Sequence, residues 1–237
     1  RTEYGLSATT RARKIATLRS FFNYLTKKVH ILDDNPIKDM DSPKLKKTLP
    51  KYLTLDESLE LLNSVDGANS ERDYCILTLF LNCGLRISEL IGLNLNDIQD
   101  DALRVLGKGN KVRIVYLNDA CKDALEQYLA VRRPIGGKDQ NALFLSARDQ
   151  RISRSNVHAL VKKRLSQAGL DSAQYSSHKL RHTAATLMLQ NGVDVKAVQE
   201  VLGHEHLNTT EIYTHIDNEA LRVAARANPL GKVKPKK

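Results

Sequence analysis

Apolar residues recur every three to four positions along most of this chain, an interval that predicts amphipathic helices rather than strands. Over residues 7–28, Ile15, Leu18, Phe21, Phe22 and Leu25 share one face. Thr54-Leu-Asp-Glu57 has the wording of a capping box for a helix running to about residue 65. Asn69 or Ser70 opens the next helix, with Ile76, Leu77, Phe80 and Leu81 inward and Gly84 as its stop. A short helix follows in RISELIGL. Residues 102–116 then change period, with two β-rich runs flanking GKGN, which predicts a hairpin. Asn118 caps a helix to about residue 131, residues 143–145 predict a short strand, and Ser153 caps a helix to about residue 168 with Gly169 behind it. Ser177 opens a helix that Gly192 closes, and Asp194 caps another that Gly203 ends. A helical turn at residues 209–213 precedes a last helix, capped by Asp217, reaching about residue 227 and stopped by Pro229. The chain is thus mainly α with a small antiparallel sheet, an α+β class, and no internal repeat.

The helix SHKLRHTAATLMLQNG, from Ser177, carries unusual chemistry at its start. At about 100° per residue, Leu180, Ala184, Leu187 and Met188 fall on one core-facing arc. His178 lies nearly opposite, and Arg181 follows at i+3 near the boundary, so both reach the space beyond the N-terminus. Unpaired N–H groups there favour anions, and an arginine fork suits phosphate. Taken alone, the helix is better read as a solvated polar face with one satisfied histidine.

Composition then narrows the class. The 237 residues suffice for one large domain or one domain and part of another. Hydrophobic residues make up 41% and aromatics 5% with no Trp, so the core is aliphatic. Lys and Arg number 37 against 27 Asp and Glu, an excess that points to a polyanionic partner such as nucleic acid. The three cysteines, Cys75, Cys83 and Cys121, form no CxxC, which argues against disulfides or zinc and for a reducing, cytoplasmic setting. No apolar run of membrane-spanning length and no signal peptide is visible. The opening Arg1, leading straight into a helix, suggests a missing N-terminal part. PKLKKTLPKYL has linker composition, placing a boundary at residues 42–51, where Lys44, Lys46, Lys47 and Lys51 are candidate DNA-backbone contacts.

Four further places look like sites. Arg86 follows the Gly84 stop, with Glu89 at i+3 able to hold it; taken alone, that is a weak surface ion pair. Gly107-Lys108-Gly109 puts one lysine on a turn stripped of neighbouring side chains. Leu202-Gly203-His204 delivers a histidine just past a helix end. Thr210-Glu-Ile-Tyr213-Thr-His215 holds a late tyrosine. Together these residues suit phosphoryl transfer without a metal: no carboxylate cluster for Mg²⁺, no phosphate-binding glycine loop and no Gly-x-Ser-x-Gly is present. Fixed guanidinium groups then neutralise the transition-state charge.

The ordered set R-x-x-E at 86–89, the lysine at 108, H-x-x-R at 178–181, L-G-H at 202–204 and Y-T-H at 213–215 resembles the signature of the tyrosine recombinase/integrase family. GLRISEL, GKGNK, HKLRHTAAT, VQEVLGH and TTEIYTH are most like the bacterial Xer type, or a similar mobile-element integrase. The resemblance covers roughly residues 50–228. It implies a catalytic domain over 52–228, preceded over 1–41 by the C-terminal part of a helical core-binding domain and followed over 229–237 by a basic tail. It further implies Tyr213 as the nucleophile forming a 3′-phosphotyrosyl bond, His178 as the base-like histidine, and Arg86 and Arg181 gripping the non-bridging oxygens. His204 would bond the same phosphate, Lys108 would protonate the leaving 5′-oxygen, and Glu89 would support the site. His182 is a packing or supporting histidine and His215 an orienting one. Neither metal nor cofactor is implied. The implied partners are double-stranded DNA and further copies of the chain, a tetramer joined by exchange of the last helix. Ala220, Leu221, Ala224 and Ala225 give that helix an apolar face, and packing on its own domain is the alternative. A related recombinase or accessory protein is a further implied partner. The implied activity is site-specific strand exchange through a Holliday junction, in chromosome dimer resolution or mobile-element integration.

Three other readings compete. A type IB topoisomerase shares the tyrosine chemistry, but the Xer-like wording and the exchangeable helix oppose it. A catalytically inactive DNA-binding protein of the same fold requires a broken site, and every expected residue is present. A basic RNA binder leaves the ordered set unexplained, and stacking aromatics are scarce.

Overall fold

A computed structural model describes residues 5–45, 51–134, 136, 139–203 and 218–234, the side chains of Lys108, Asn218 and Glu219 apart. The chain forms two compact units divided between Pro50 and Lys51.

In the first unit, α1 (Ala8–Lys27) begins at Ser7, whose side chain accepts from the Thr10 amide. Asn35, buried, bonds the Asn23 side chain (2.8 Å) and folds the following segment back on the helix. The predicted apolar face is not a core face: no residue of α1 is buried, and Leu18 and Phe21 are exposed.

The second unit is built around one helix. After α2 (Leu55–Asn63), whose capping box forms as predicted, α3 (Ser70–Cys83) is buried at every position from Asp73 to Cys83. A helix covered all round is a domain's central strut, so the amphipathic reading of α3 understated it. Gly84 ends α3 at φ +57°, and a methyl there would collide with Leu202 Cδ2. α4 (Ile87–Gly92) restarts two residues later with Arg86 as its N-cap.

A three-stranded antiparallel sheet follows in the order β1 (Ile98–Gln99), β2 (Ala102–Leu106), β3 (Val112–Tyr116). The hairpin pairs Val105 with Arg113 and Leu106 with Val112. Its tip is a 3₁₀ turn over Lys108–Asn110, with Gly109 at φ +71° and Asn110 at φ +62°. The short strand β1 was not foreseen.

α5 (Asp119–Val131), capped by Asn118, packs on α3. Residues 143–145, predicted as a strand, make only isolated bridges. Leu143, Phe144 and Leu145 are buried, and Tyr128 Oη and Arg132 Nε donate to the Leu143 carbonyl at 3.1 and 3.0 Å. The Leu143 amide donates to the Leu93 carbonyl and the Ile152 amide to the Phe144 carbonyl, so side-chain donors and single backbone bonds stand in for a continuous ladder.

α6 (Arg154–Gln167) is capped by Ser153. α7 (Ser177–Gln190) starts one residue earlier than predicted: Ser176, not Ser177, is its N-cap. α8 (Val195–Leu202), capped by Asp194, ends at Gly203 with φ +64°. α9 (Asn218–Arg226) lies on its own domain. Ala224 packs with Met188, Val198, Val201 and Leu202, and the Ala225 carbonyl accepts from Asn118 Nδ2 at 3.1 Å.

The predicted basic tail starts too early at residue 229. Pro229–Lys232 is a short 3₁₀ turn with Leu230 fully buried in the main core, and the Asn228 side chain donates to the Leu81 carbonyl (3.0 Å). Among the described residues, no helix is long and apolar enough to cross a membrane.

Candidate active site

Glu89, on the first turn of α4, is the hub of the site. Its side chain is 1% exposed. Arg86 bonds it from the backbone amide (2.7 Å) and from Nη1 (2.8 Å), closing a capping box around the α4 start. Arg113 reaches it from β3 with both Nη atoms, at 2.8 and 3.1 Å. Arg181 Nη1 lies 3.9 Å from its other edge. Burial pushes the Glu89 carboxyl upward. The hydrogen bonds and charge of Arg113, with the bonds from Arg86, outweigh that and hold it below its ordinary value.

Three guanidinium groups therefore surround one carboxylate. The excess shows in Arg181, whose pKa burial pushes down to about 10; Arg86 and Arg113 add to the depression and Glu89 opposes it. Arg181 stays charged at neutral pH, in surroundings that a further anion would relieve.

Backbone carbonyls fix these arginines in place. Arg181, buried on α7, donates to the Gly84 carbonyl and, at 2.5 Å, to that of Leu202. Arg86 Nη2 donates to the Gly203 carbonyl at 2.9 Å. The ends of α3 and α8 are thus tied together through the two arginines. Guanidinium has five N–H donors. Among the described residues, each of these two arginines uses only two of its five side-chain donors in such bonds.

The cleft in front of them has a volume of about 950 Å³. Arg86 and Arg181 line it, together with His178, which is exposed to it. The starts of α6 and α7 open onto it through Ser153, Arg154, Ser176 and Ser177. Ser176 makes no side-chain cap bond, so the first amides of α7 face the cleft without one. The arrangement can bind a tetrahedral oxyanion and stabilise charge that builds on it.

The other expected residues fall in different places. His182 is not in the cleft. Its ring packs edge-on against Tyr52 with centroids 6.3 Å apart, and burial, then Lys179 and His178, lower its pKa. Gly107 comes within 3.8 Å of Glu89 Oε1, measured to an added Cβ. The Lys108 side chain lies outside the described residues, as do His204, Tyr213, His215, Lys46, Lys47, the predicted turn at 209–213 and the Asp217 cap. Lys44 is exposed, and Lys51 bonds Gln174 of its own unit. Among the described residues, no three His, Cys, Asp or Glu side chains gather as a metal site would need. Cys75, Cys83 and Cys121 are free and buried, with the Cys83 and Cys121 sulfurs 3.7 Å apart.

Sequence reasoning missed Arg113, Arg154, Ser155 and His158. In VRIVY the apolar residues Val112, Ile114 and Tyr116 alternate on one face, which reads Arg113 as outward; the fold instead exposes Val112 and Ile114 and turns Arg113 inward. Arg154, Ser155 and His158 occupy the exposed first turns of α6 and join the cleft lining only through packing.

Comparison with known proteins gives the same frame. The family model described as the phage integrase family matches residues 51–220. Tyrosine recombinase XerC of Caldanaerobacter subterraneus subsp. tengcongensis is 57% identical over 221 residues, covering 93% of this chain and 63% of that protein. The chain therefore spans under two thirds of that relative's length. Tyrosine recombinase XerD of Proteus mirabilis is 42% identical, covering 94% of this chain and 73% of that protein. Among solved structures, the XerH site-specific recombinase in a post-cleavage complex with its palindromic difH substrate superposes with a TM-score of 0.72. It is 27% identical, over 94% of this chain and 68% of that one.

Proposed function

The chain belongs to the phage integrase family, and we propose that it is a site-specific recombinase of the Xer type. It would cut and rejoin duplex DNA through a 3′-phosphotyrosyl intermediate. The observation that carries this reading is the charge imbalance at the cleft: three arginines on one buried carboxylate, two of them with donors to spare among the described residues.

In this reading the scissile phosphate sits between Arg86 and Arg181, which bond its non-bridging oxygens. The Tyr213 phenol oxygen attacks phosphorus, forming the O–P bond to the 3′ strand as the P–O5′ bond breaks. The phenol proton passes to His178, and Lys108 gives a proton to the departing 5′-oxygen. His204 adds a hydrogen bond to the phosphate. The 5′-hydroxyl of another strand reverses the step, so the phosphodiester energy is kept. Two rounds exchange strands through a Holliday junction.

Exchange needs several protomers on one DNA, and a tetramer linked by α9 is the arrangement we infer. Support comes from relatives solved with DNA, among them a lambda integrase tetramer bound to a Holliday junction. Because α9 packs on its own domain in the single chain, exchange would require its release and re-docking on a neighbour. Residues 1–41 and the basic segment around Lys44, Lys46, Lys47 and Lys51 would add backbone contacts to the DNA in the cytoplasm.

Covalent trapping tests the proposal. The protein is incubated in EDTA with nicked duplexes selected by binding from a random pool, and SDS-resistant adducts are scored beside Tyr213→Phe. The expected result is an adduct that disappears in the variant. An adduct that survives in Tyr213→Phe would remove the tyrosine from its role.

A further inference from the structure

Arg113 has no part in the chemistry described above, yet it is the most constrained residue of the hairpin. From Leu106 to Val112 the described tip residues other than Gly107 are exposed, and Ile114 beyond them is exposed too. Among the described side chains of that stretch, Arg113 alone is long and turned inward, where it is 16% exposed. Its fork closes on both oxygens of Glu89. Its stem lies against the end of α8: a methyl on Gly203 would sit 2.9 Å from Arg113 Cδ and 3.0 Å from Nε. Arg113 is not part of the cleft lining.

The Gly107 amide bonds the Lys111 carbonyl at 2.8 Å, which closes the turn on itself but ties it to nothing beyond the hairpin. Arg113 pairs with Val105 across the strands, two residues before Gly107, and Gly107 comes down beside Glu89. The Arg113 guanidinium thus joins the hairpin to the same carboxylate that holds Arg86.

We propose that Arg113 is a positioning residue. It anchors the β2–β3 hairpin on the Glu89 carboxylate and thereby delivers Lys108 to the leaving 5′-oxygen. This rests on the reading of Lys108 as the proton donor. A guanidinium gives two parallel bonds to a carboxylate and fixes an angle as well as a distance; an ammonium at the same place gives charge alone.

The test compares two substrates on the full chain, both duplexes that the unsubstituted protein cleaves. One has the natural bridging 5′-oxygen and the other sulfur in its place. A thiol ionises near pH 8.5, about seven powers of ten more readily than an alcohol, so the sulfur leaves as thiolate without a proton. Lys108→Ala is expected to lose about 10²-fold or more in cleavage on oxygen and to recover most of it on sulfur. Arg113→Met is expected to follow the same pattern, with a loss of about 10²-fold on oxygen, as a misplaced group would give. Arg113→Lys should fall between it and the unsubstituted protein. DNA affinity should stay level throughout.

Equal loss on both substrates in the Arg113 variants, with Lys108→Ala rescued, would overturn the anchoring role and leave the Lys108 reading standing. Failure of sulfur to rescue Lys108→Ala would overturn the proton-donor reading, and the anchoring proposal with it. Where Arg113→Met does not give a cooperative melt, Arg113→Lys, which keeps a cation beside Glu89, carries the same comparison.

Discussion

Two buried carboxylates in this molecule are each surrounded by arginines, and they are put to opposite uses. At the far end of α3, Asp73 accepts from Arg72 (2.8 Å) and from Arg164 (2.7 Å), and Asp66 supplies a second carboxylate to Arg164 at 2.8 Å. Charge there balances, two against two. All five N–H donors of Arg164 are used, on Asp73, Asp66 and Gln167, and its side chain is 2% exposed. Such a cluster has nothing left to offer a ligand. Around Glu89 three arginines meet one carboxylate, donors remain among the described residues, and the open side is a cleft. Neutralised arginine is structure; arginine in excess, held rigidly at the edge of water, is a receptor for an anion.

The sharpest way to break that contrast is at Arg164. Arg164→Met leaves Asp73 buried with only Arg72, and removing one partner of a buried pair costs about 3–5 kcal/mol of stability. A thermal melt should show the loss, and the folded fraction should cleave DNA at an unchanged rate. A selective loss of cleavage would mean that the Asp73 cluster also serves the reaction.

Next comes Arg181→Lys. The charge stays and the fork is lost, so single-turnover cleavage should drop by about 10²-fold, the scale of one lost transition-state donor. Binding to the same duplex should hold. Near-normal cleavage would remove Arg181 from the phosphate site.

The smallest effect is expected from pH. The folded pKa of Glu89 lies below its ordinary value of 4.5. Its ionised form is therefore favoured in the folded protein. That contribution to stability is fully present above the unfolded pKa and is lost as pH falls through the lower, folded one. Glu89→Gln removes this loss, so its stability should fall less steeply than that of the unsubstituted protein below pH 4.5. Parallel acid limbs in thermal melts against pH would show that the Glu89 cluster contributes nothing by ionisation.

The parts of this protein that can be read without coordinates are those set by near neighbours in the chain. Thr54, Asn118, Ser153 and Asp194 each bond an amide two or three residues on, so their spacing marks the helix starts. Gly84 and Gly203 mark stops because their backbones take positive φ. Arg86 and Glu89 form a pair within one helical turn, so their link was visible too. The ordered motifs carried the family for the same reason: they are a linear record.

What needed the folded chain is whatever joins distant residues. Arg181 meets Gly84 across 97 positions, and Arg113 meets Glu89 from another element across 24. Period alone would turn Arg113 outward, opposite Val112, Ile114 and Tyr116; only the folded sheet shows it inward, against a carboxylate. The apolar run at 143–145 has strand composition, yet side-chain donors from Tyr128 and Arg132 and single backbone bonds took the place of a continuous ladder. Basic composition hid Leu230, which packing drew into the core. Burial is a property of the whole fold, and it turned a pair that sequence could rate only as a surface contact into the centre of the site.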